Sequence, residues 1–168
     1  MSKPFVAVLM GSDSDLGTMQ ATLDILKDLA VDFEVKITSA HRTPVDTHAY
    51  VREADTRGCA VFIAAAGLAA HLAGTVAGLT LKPVIGVPID AGSLQGMDSL
   101  LSTVQMPSGI PVATVAIGKA GAKNAAYLAA QILALSDKYI AQRLKSEREN
   151  NARLIAKKDE ALQQQLKD

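Results

Sequence analysis

Residues 39–44 of this 168-residue chain, Ser39-Ala40-His41-Arg42-Thr43-Pro44, gather an imidazole, a guanidinium and two hydroxyls between an apolar run and a helical pattern. His41 is the residue type whose proton comes and goes near neutral pH. Arg42 carries a planar fork that grips phosphate or carboxylate. A strand-to-helix turn is also where open α/β sheets hold their ligands. The combination points to acid–base work on an anionic small molecule.

A second loop, Gly11 to Asp15, follows an earlier apolar run. Ser12, Ser14 and the amides of the coming helix are suited to phosphate oxygens, helped by the positive end of the helix dipole. Asp13 and Asp15 cannot both face such an anion. The repulsion is about 4 kcal/mol for charges about 4 Å apart at an effective dielectric of about 20. Asp15 is therefore expected to accept from sugar hydroxyls, with Asp13 turned to water or capping the helix. A purely capping role for all four residues explains this segment alone equally well.

Taken singly, His41 could also do no more than stabilise its turn; Arg42 and the Ser12 loop on an adjacent strand are what favour chemistry. His48, on the following helix, reads as a surface histidine. His71 is expected one turn into a small-residue helix, either as a pocket wall or packed against a backbone carbonyl. Ala66, Gly67, Ala69 and Ala70 lack bulk, so a ring can approach their backbone closely. Neither Gly-x-Gly-x-x-Gly nor a complete Walker loop occurs, and Gly118-Lys119 lacks the upstream glycine.

The elements that must position these residues alternate. Phe5–Met10 is continuously apolar, as a strand buried on both faces requires. Strand patterns recur at 33–37, 61–65, 84–87 and 113–117. Helical patterns lie between them at 16–29, 44–57, 69–79 and 98–104, with another from Gly118 to Leu135. Thr43, Pro44 and Asp46 read as cap, first helical residue and third-position acid, and Gly58 as the stop. Five strands alternating with helices imply a parallel, doubly wound sheet with right-handed crossovers.

After Ser136 the charge density rises, yet Ile140, Leu144, Leu154, Ile155, Leu162 and Leu166 keep a helical apolar stripe. Residues 1–135 are read as the catalytic domain. Residues 136–168 are read as a helical extension that lies across a neighbouring subunit, with a frayed end near residues 163–165.

Composition bounds the rest. A chain of this length buries roughly 70% of its unfolded surface in one core. The 17 basic and 17 acidic residues balance, so no overall field steers the protein to nucleic acid or an anionic membrane. One cysteine, Cys59, excludes an internal disulfide, and three histidines supply no Cys/His zinc cluster. No signal peptide is read at the amino terminus, and no apolar run reaches the roughly 18 to 20 residues of a membrane span. A reducing, cytoplasmic setting is expected.

Five separated segments, MGSDSD at 10–15, SAHRTP at 39–44, AGLAAHL at 66–72, DSLLSTVQMP at 98–107 and AIGKAGA at 116–122, together resemble one family. It is the class I PurE family, the N5-carboxyaminoimidazole ribonucleotide mutases of bacterial purine biosynthesis. The resemblance runs from about Val6 to Leu135. It implies a flavodoxin-like three-layer α/β/α fold, a homo-octamer, a small ribonucleotide as substrate, and neither metal nor organic cofactor. It also implies His41 as general acid and base, Ser12, Ser14 and Arg42 as phosphate binders, and Asp15 on the ribose. Gly67 to Leu72 would hold the imidazole and the migrating carboxylate. The substrate-binding set implied overall is Gly11, Ser12, Ser14, Asp15, Ser39, Ala40, Arg42, Ala66, Gly67, Ala69, Ala70, His71 and Leu72. Leu68 and Ala73 stand where the family frequently has glycine and proline. The runner-up activity is an aminoimidazole ribonucleotide carboxylase using free carbon dioxide; from another class, a non-catalytic nucleotide sensor has the same fold.

Overall fold

The computed structural model describes residues 3–166. Five strands pair in parallel in the order β2-β1-β3-β4-β5, the flavodoxin order. They are β1 (Phe5–Met10), β2 (Phe33–Ile37), β3 (Cys59–Ala66), β4 (Val84–Pro88) and β5 (Ala113–Thr114). The helices are α1 (Leu16–Asp28), α2 (Pro44–Arg57), α3 (Leu72–Ala77), α4 (Met97–Val104), α5 (Gly118–Ala134) and α6 (Lys138–Gln165).

Alternation along β1 decides which residues meet which layer. Val6, Val8 and Met10 join Met19 and Leu26 of α1 and Ala122, Ala126 and Ala130 of α5 in one core. Phe5, Ala7 and Leu9 face the other way, onto Val51 of α2 and Leu72, Ala73 and Val76 of α3. Both faces of the central strands are thus buried, which is why they read as unbroken apolar runs rather than alternating ones. Close approach is met with small residues. A Cβ on Gly86 in β4 would lie 2.4 Å from Thr103 Cγ2, so α4 packs directly on that strand.

Most element boundaries follow the sequence reading, with four corrections. β5 is only two residues long, because past Thr114 a single bond from Val115 N–H to Gly86 O holds it to β4. α3 starts at Leu72 rather than Ala69, so His71 is its N-terminal flanking residue and not a residue one turn in. Thr43 does flank α2, but its hydroxyl makes no cap bond; it is spent on the preceding turn. α6 continues unbroken through residues 163–165 to Gln165, where fraying was expected. Pro44 at the start of α2 and Gly58 at its end (φ +100°) stand as read. Lys167 and Asp168, the end of the expected extension, and Met1 and Ser2 lie outside the described residues.

α6 begins on Asp137, whose carboxylate accepts from the amides of Tyr139 and Ile140. Its first half is anchored: Ile140 is buried in the core, Arg143 donates to Asp28 O at 2.8 Å, and Tyr127 donates to the Glu147 carboxylate. From residue 151 onward every described side chain is exposed.

Candidate active site

The loops that leave the carboxyl ends of β1, β2, β3 and β4 meet in one cleft of about 550 Å³. The first is built by reciprocal capping. Ser12 Oγ accepts from Ser14 N–H at 3.3 Å while Ser12 N–H donates to Asp15 Oδ2 at 3.2 Å, closing the single 3-10 turn Asp13–Asp15. The two serine hydroxyls are themselves 2.9 Å apart, Ser14 donating to Ser12, and Ser12 donates on to Asp13 at 3.1 Å. Asp15 is therefore the acid that closes this turn, while Asp13 is exposed to water, one of the two places expected for it. Burial pushes the Asp15 carboxyl above the usual carboxylate range, opposed by the Ser12 amide and the Ser14 hydroxyl and reinforced by the charge of Asp13.

The β2 loop is held from beneath by hydroxyls. Buried Thr38 and Thr47 share a bond of 2.7 Å, and Thr43 Oγ1 receives the Ser39 amide at 2.9 Å. Ser39 Oγ in turn accepts the Arg42 amide at 3.1 Å, fixing the turn that projects His41 and Arg42. Arg42 Nη2 donates to Gly11 O at 3.2 Å, which carries the guanidinium across to the Ser12 loop. A cation, two hydroxyls and the start of a helix thus share one corner, as anion binding requires.

The β3 loop supplies the opposite wall. Ala66 O accepts the Ile89 amide at 3.0 Å, and a Cβ on Gly67 would lie 3.0 Å from Ala91 Cβ. His71 makes no cap bond to α3. Its Nδ1 instead lies 2.7 Å from His41 Nε2, the rings edge-on at 78° with centroids 4.8 Å apart. One nitrogen donates and the other accepts, so these two atoms hold one proton between them.

Gly11, Ser12, Ser14, Asp15, Ser39, Ala40, His41, Arg42, Ala66, Gly67, Ala69, His71 and Leu72 all line the cleft. Ala70 is buried and does not line it. His48 is exposed on α2 and does not face the cleft. Leu68 lines it too, within the segment expected to hold the imidazole, whereas Ala91 was not anticipated. Ala91 follows β4, and the neighbouring Gly92 and Gly96, both at positive φ, were the signal of a shaped loop there. A larger groove of about 810 Å³ runs between α5 and α6, and no histidine lines it. Among the described residues no group of three or more His, Cys, Asp or Glu is placed to hold a metal ion. Among them, too, no helix is long and apolar enough to cross a membrane.

Known proteins carry the same pattern. Residues 5–167 match the family described as AIR carboxylase. The N5-carboxyaminoimidazole ribonucleotide mutase of Bacillus subtilis is 51% identical over 160 residues, spanning 95% of this chain and 99% of that protein. Its Escherichia coli K12 counterpart is 55% identical over 139 residues, or 83% and 82% of the two chains. The crystal structure of Treponema denticola PurE superposes with a TM-score of 0.86 at 36% identity, covering 95% of this chain and 99% of that one. With a family match over nearly its whole length and a sheet, cleft and histidine pair assembled from the segments described above, this chain belongs to the AIR carboxylase family.

Proposed function

We propose that this protein converts N5-carboxyaminoimidazole ribonucleotide to 4-carboxy-5-aminoimidazole ribonucleotide, an intramolecular carboxyl transfer in purine biosynthesis. The observation that carries this reading is the cleft itself, where His41 lies between an anion-binding corner and a wall of small side chains. Relatives named for this activity are 51% and 55% identical to the chain.

In this reading Ser12, Ser14 and Arg42 hold the phosphate and Asp15 the ribose. The aminoimidazole then lies against Ala66, Gly67 and Ala69, with Leu72 and His71 beyond. His41 gives a proton to the exocyclic nitrogen as the nitrogen–carbon bond breaks, and the bonding pair stays on nitrogen. Carbon dioxide and the enamine-like ring are left side by side. Ring carbon four attacks the carbon dioxide, and His41 takes back the proton that this carbon sheds. Protons and charge balance across the cycle. One positioned acid–base group contributes about 10²- to 10⁴-fold, so orientation and confinement supply the remainder.

We also propose that residues 136–168 form an assembly element, distinct from a catalytic domain over 1–135, and that the assembly is a homo-octamer. Support comes from α6, whose outer half leaves Leu154, Ile155 and Leu162 uncovered. A cytoplasmic setting belongs to the same proposal, on the strength of the mutase relatives.

The test is incubation of the purified protein with N5-carboxyaminoimidazole ribonucleotide, without ATP or added bicarbonate. The carbon-carboxylated isomer is the expected product. Formation of that product only from aminoimidazole ribonucleotide and carbon dioxide would transfer the assignment to the carboxylase. Binding of ribonucleotide with no turnover of either substrate would make the protein a sensor.

A further inference from the structure

Thr38 follows β2, Thr47 lies in the first turn of α2, and both are buried. A buried hydroxyl is costly unless it is hydrogen-bonded, and each has one hydrogen to give. Thr47 Oγ1 donates to Thr43 O at 3.0 Å, so across the 2.7 Å bond that joins the pair Thr38 is the donor. Thr43 Oγ1 lies 3.3 Å from Thr38 Oγ1 and 3.3 Å from Ser39 O, and donates to one of them. Three hydroxyls and the Thr43 carbonyl thus form a circuit with no hydrogen left over.

The circuit holds the turn that carries His41. Thr38 N–H donates to Met10 O at 2.9 Å, which ties one side to the end of β1, and Thr47 is fixed within α2. Between these anchors Thr43 Oγ1 accepts the Ser39 amide at 2.9 Å, and Thr43 N–H donates to Ser39 O at 2.9 Å. Residues 39–43 therefore close into one turn with His41 at its middle. The two groups on that turn differ in slack. Arg42 is long, and its guanidinium is held at the far end by Gly11 O, 3.2 Å away. The His41 imidazole is short, and its Nε2 lies 2.7 Å from His71 Nδ1. A displacement of the turn is absorbed by the arginine and felt by the imidazole.

We propose that Thr38 and Thr47 are positioning residues for His41, a matched pair whose hydroxyls set where the imidazole stands. The inference rests on the mutase reading above in giving His41 the proton transfer. Removing one hydroxyl of the pair does more harm than removing both. In Thr47→Val the buried Thr38 hydroxyl is left with Thr43 Oγ1, at 3.3 Å, as its acceptor. Drawn toward it, Thr38 pulls on the oxygen that holds the Ser39 amide. In the double variant Thr38→Val/Thr47→Val no buried hydrogen needs a partner, and replacing both members by apolar groups of the same shape is nearly neutral. Misplacing a reacting group by about 1 Å costs about 10²-fold, so even a partial shift of the turn shows in kcat.

The experiment measures kcat and KM for N5-carboxyaminoimidazole ribonucleotide in Thr47→Val, Thr47→Ser and the double variant, with melting temperatures and 15N-histidine spectra of the resting proteins. Thr47→Val is expected to lower kcat about tenfold, with KM within about twofold of wild type, and to shift the His41 and His71 signals. The double variant recovers most of the rate and the wild-type signals, because the two substitutions are not additive. Thr47→Ser, which keeps the hydroxyl, behaves as wild type. A lower melting temperature in Thr47→Val with wild-type kcat and histidine signals makes the pair structural alone and overturns the proposal. So does a double variant at least as impaired as Thr47→Val. A wild-type protein that leaves the substrate unconverted overturns the mutase reading, and the histidine signals then decide the positioning role by themselves.

Discussion

His41 Nε2 and His71 Nδ1 lie 2.7 Å apart although the residues are 30 positions apart in sequence, so one hydrogen bond joins the loops that follow β2 and β3. The two rings are not equivalent in the proposed cycle. His41 stands beside Arg42 on the tight Ser39 turn, while His71 flanks α3 and orients its neighbour. His41→Asn is expected to lower kcat by about 10²-fold or more while the ribonucleotide still binds. His71→Asn is expected to lower kcat less than His41→Asn does, because the His41 imidazole keeps its place on the Ser39 turn and loses only the bond from its neighbour. Steady-state kinetics with calorimetric binding checks both; full activity in the His41 variant would remove it from the chemistry.

Asp15 is kept buried against its own preference. Its carboxyl is raised chiefly by burial, so the stability it contributes is present below the unfolded carboxylate range and lost as pH rises through its folded value. At neutral pH the ionised group therefore weakens the unliganded protein. Asp15→Asn keeps an acceptor for the Ser12 amide and removes the charge. The variant is expected to melt higher than wild type near pH 7, with the difference shrinking in acid. Ribonucleotide affinity falls about tenfold, roughly 1.4 kcal/mol, if the carboxylate accepts from ribose. Thermal melts across pH and titration calorimetry measure the two effects, and a variant that is less stable with unchanged affinity would make Asp15 a cap alone.

The sheet was legible because buried parallel strands leave continuous apolar runs, and β1, β3 and β4 are such runs. β5 was overestimated for a physical reason: Val115 and Ile117 have strand character, but only Ala113 and Thr114 register against β4 before the chain turns into α5. The site residues with chemical side chains were legible by type. What type could not show was how they are used: Thr43 and Asp15 exchange capping duties with Ser39 and Ser12 through bonds set by loop geometry. The His41–His71 bond spans two strands and has no local signal at all. Leu68 stands out in the sequence where glycine is frequent, and its backbone angle, φ +55°, is one that glycine enters freely.

Two glycines of similar sequence character should respond in opposite ways to the same change. A Cβ on Gly121 in α5 would fall 1.5 Å from Ala116 O, a backbone atom that cannot move aside. Gly121→Ala is expected to destabilise by about 3 kcal/mol or more, since the first turn of α5 must shift off the sheet. Gly17 in α1 has nothing within 4 Å of such a Cβ. Gly17→Ala is expected to stabilise by about 0.5 to 1 kcal/mol, the usual gain from replacing glycine in a helix. Urea denaturation of both variants reads these values, and a tolerated Gly121→Ala would contradict the packing described.

α6 continues to Gln165, yet its described residues from 151 onward are all exposed, with Leu154, Ile155 and Leu162 along them. An isolated helical stretch of that length is marginal in water even for favourable sequences, so intrachain contacts do not account for it. A neighbouring subunit covering the stripe would. Ending the chain after Asn150 keeps Ile140, Arg143 and Glu147, which tie α6 to the body. The truncated protein is expected to retain the cooperative unfolding of the α/β domain while sedimenting as a smaller species than the full chain. Sedimentation velocity on the two proteins at matched concentration decides it: an unchanged assembly size would mean that the outer half of α6 is a solvated rod and that the subunits meet elsewhere.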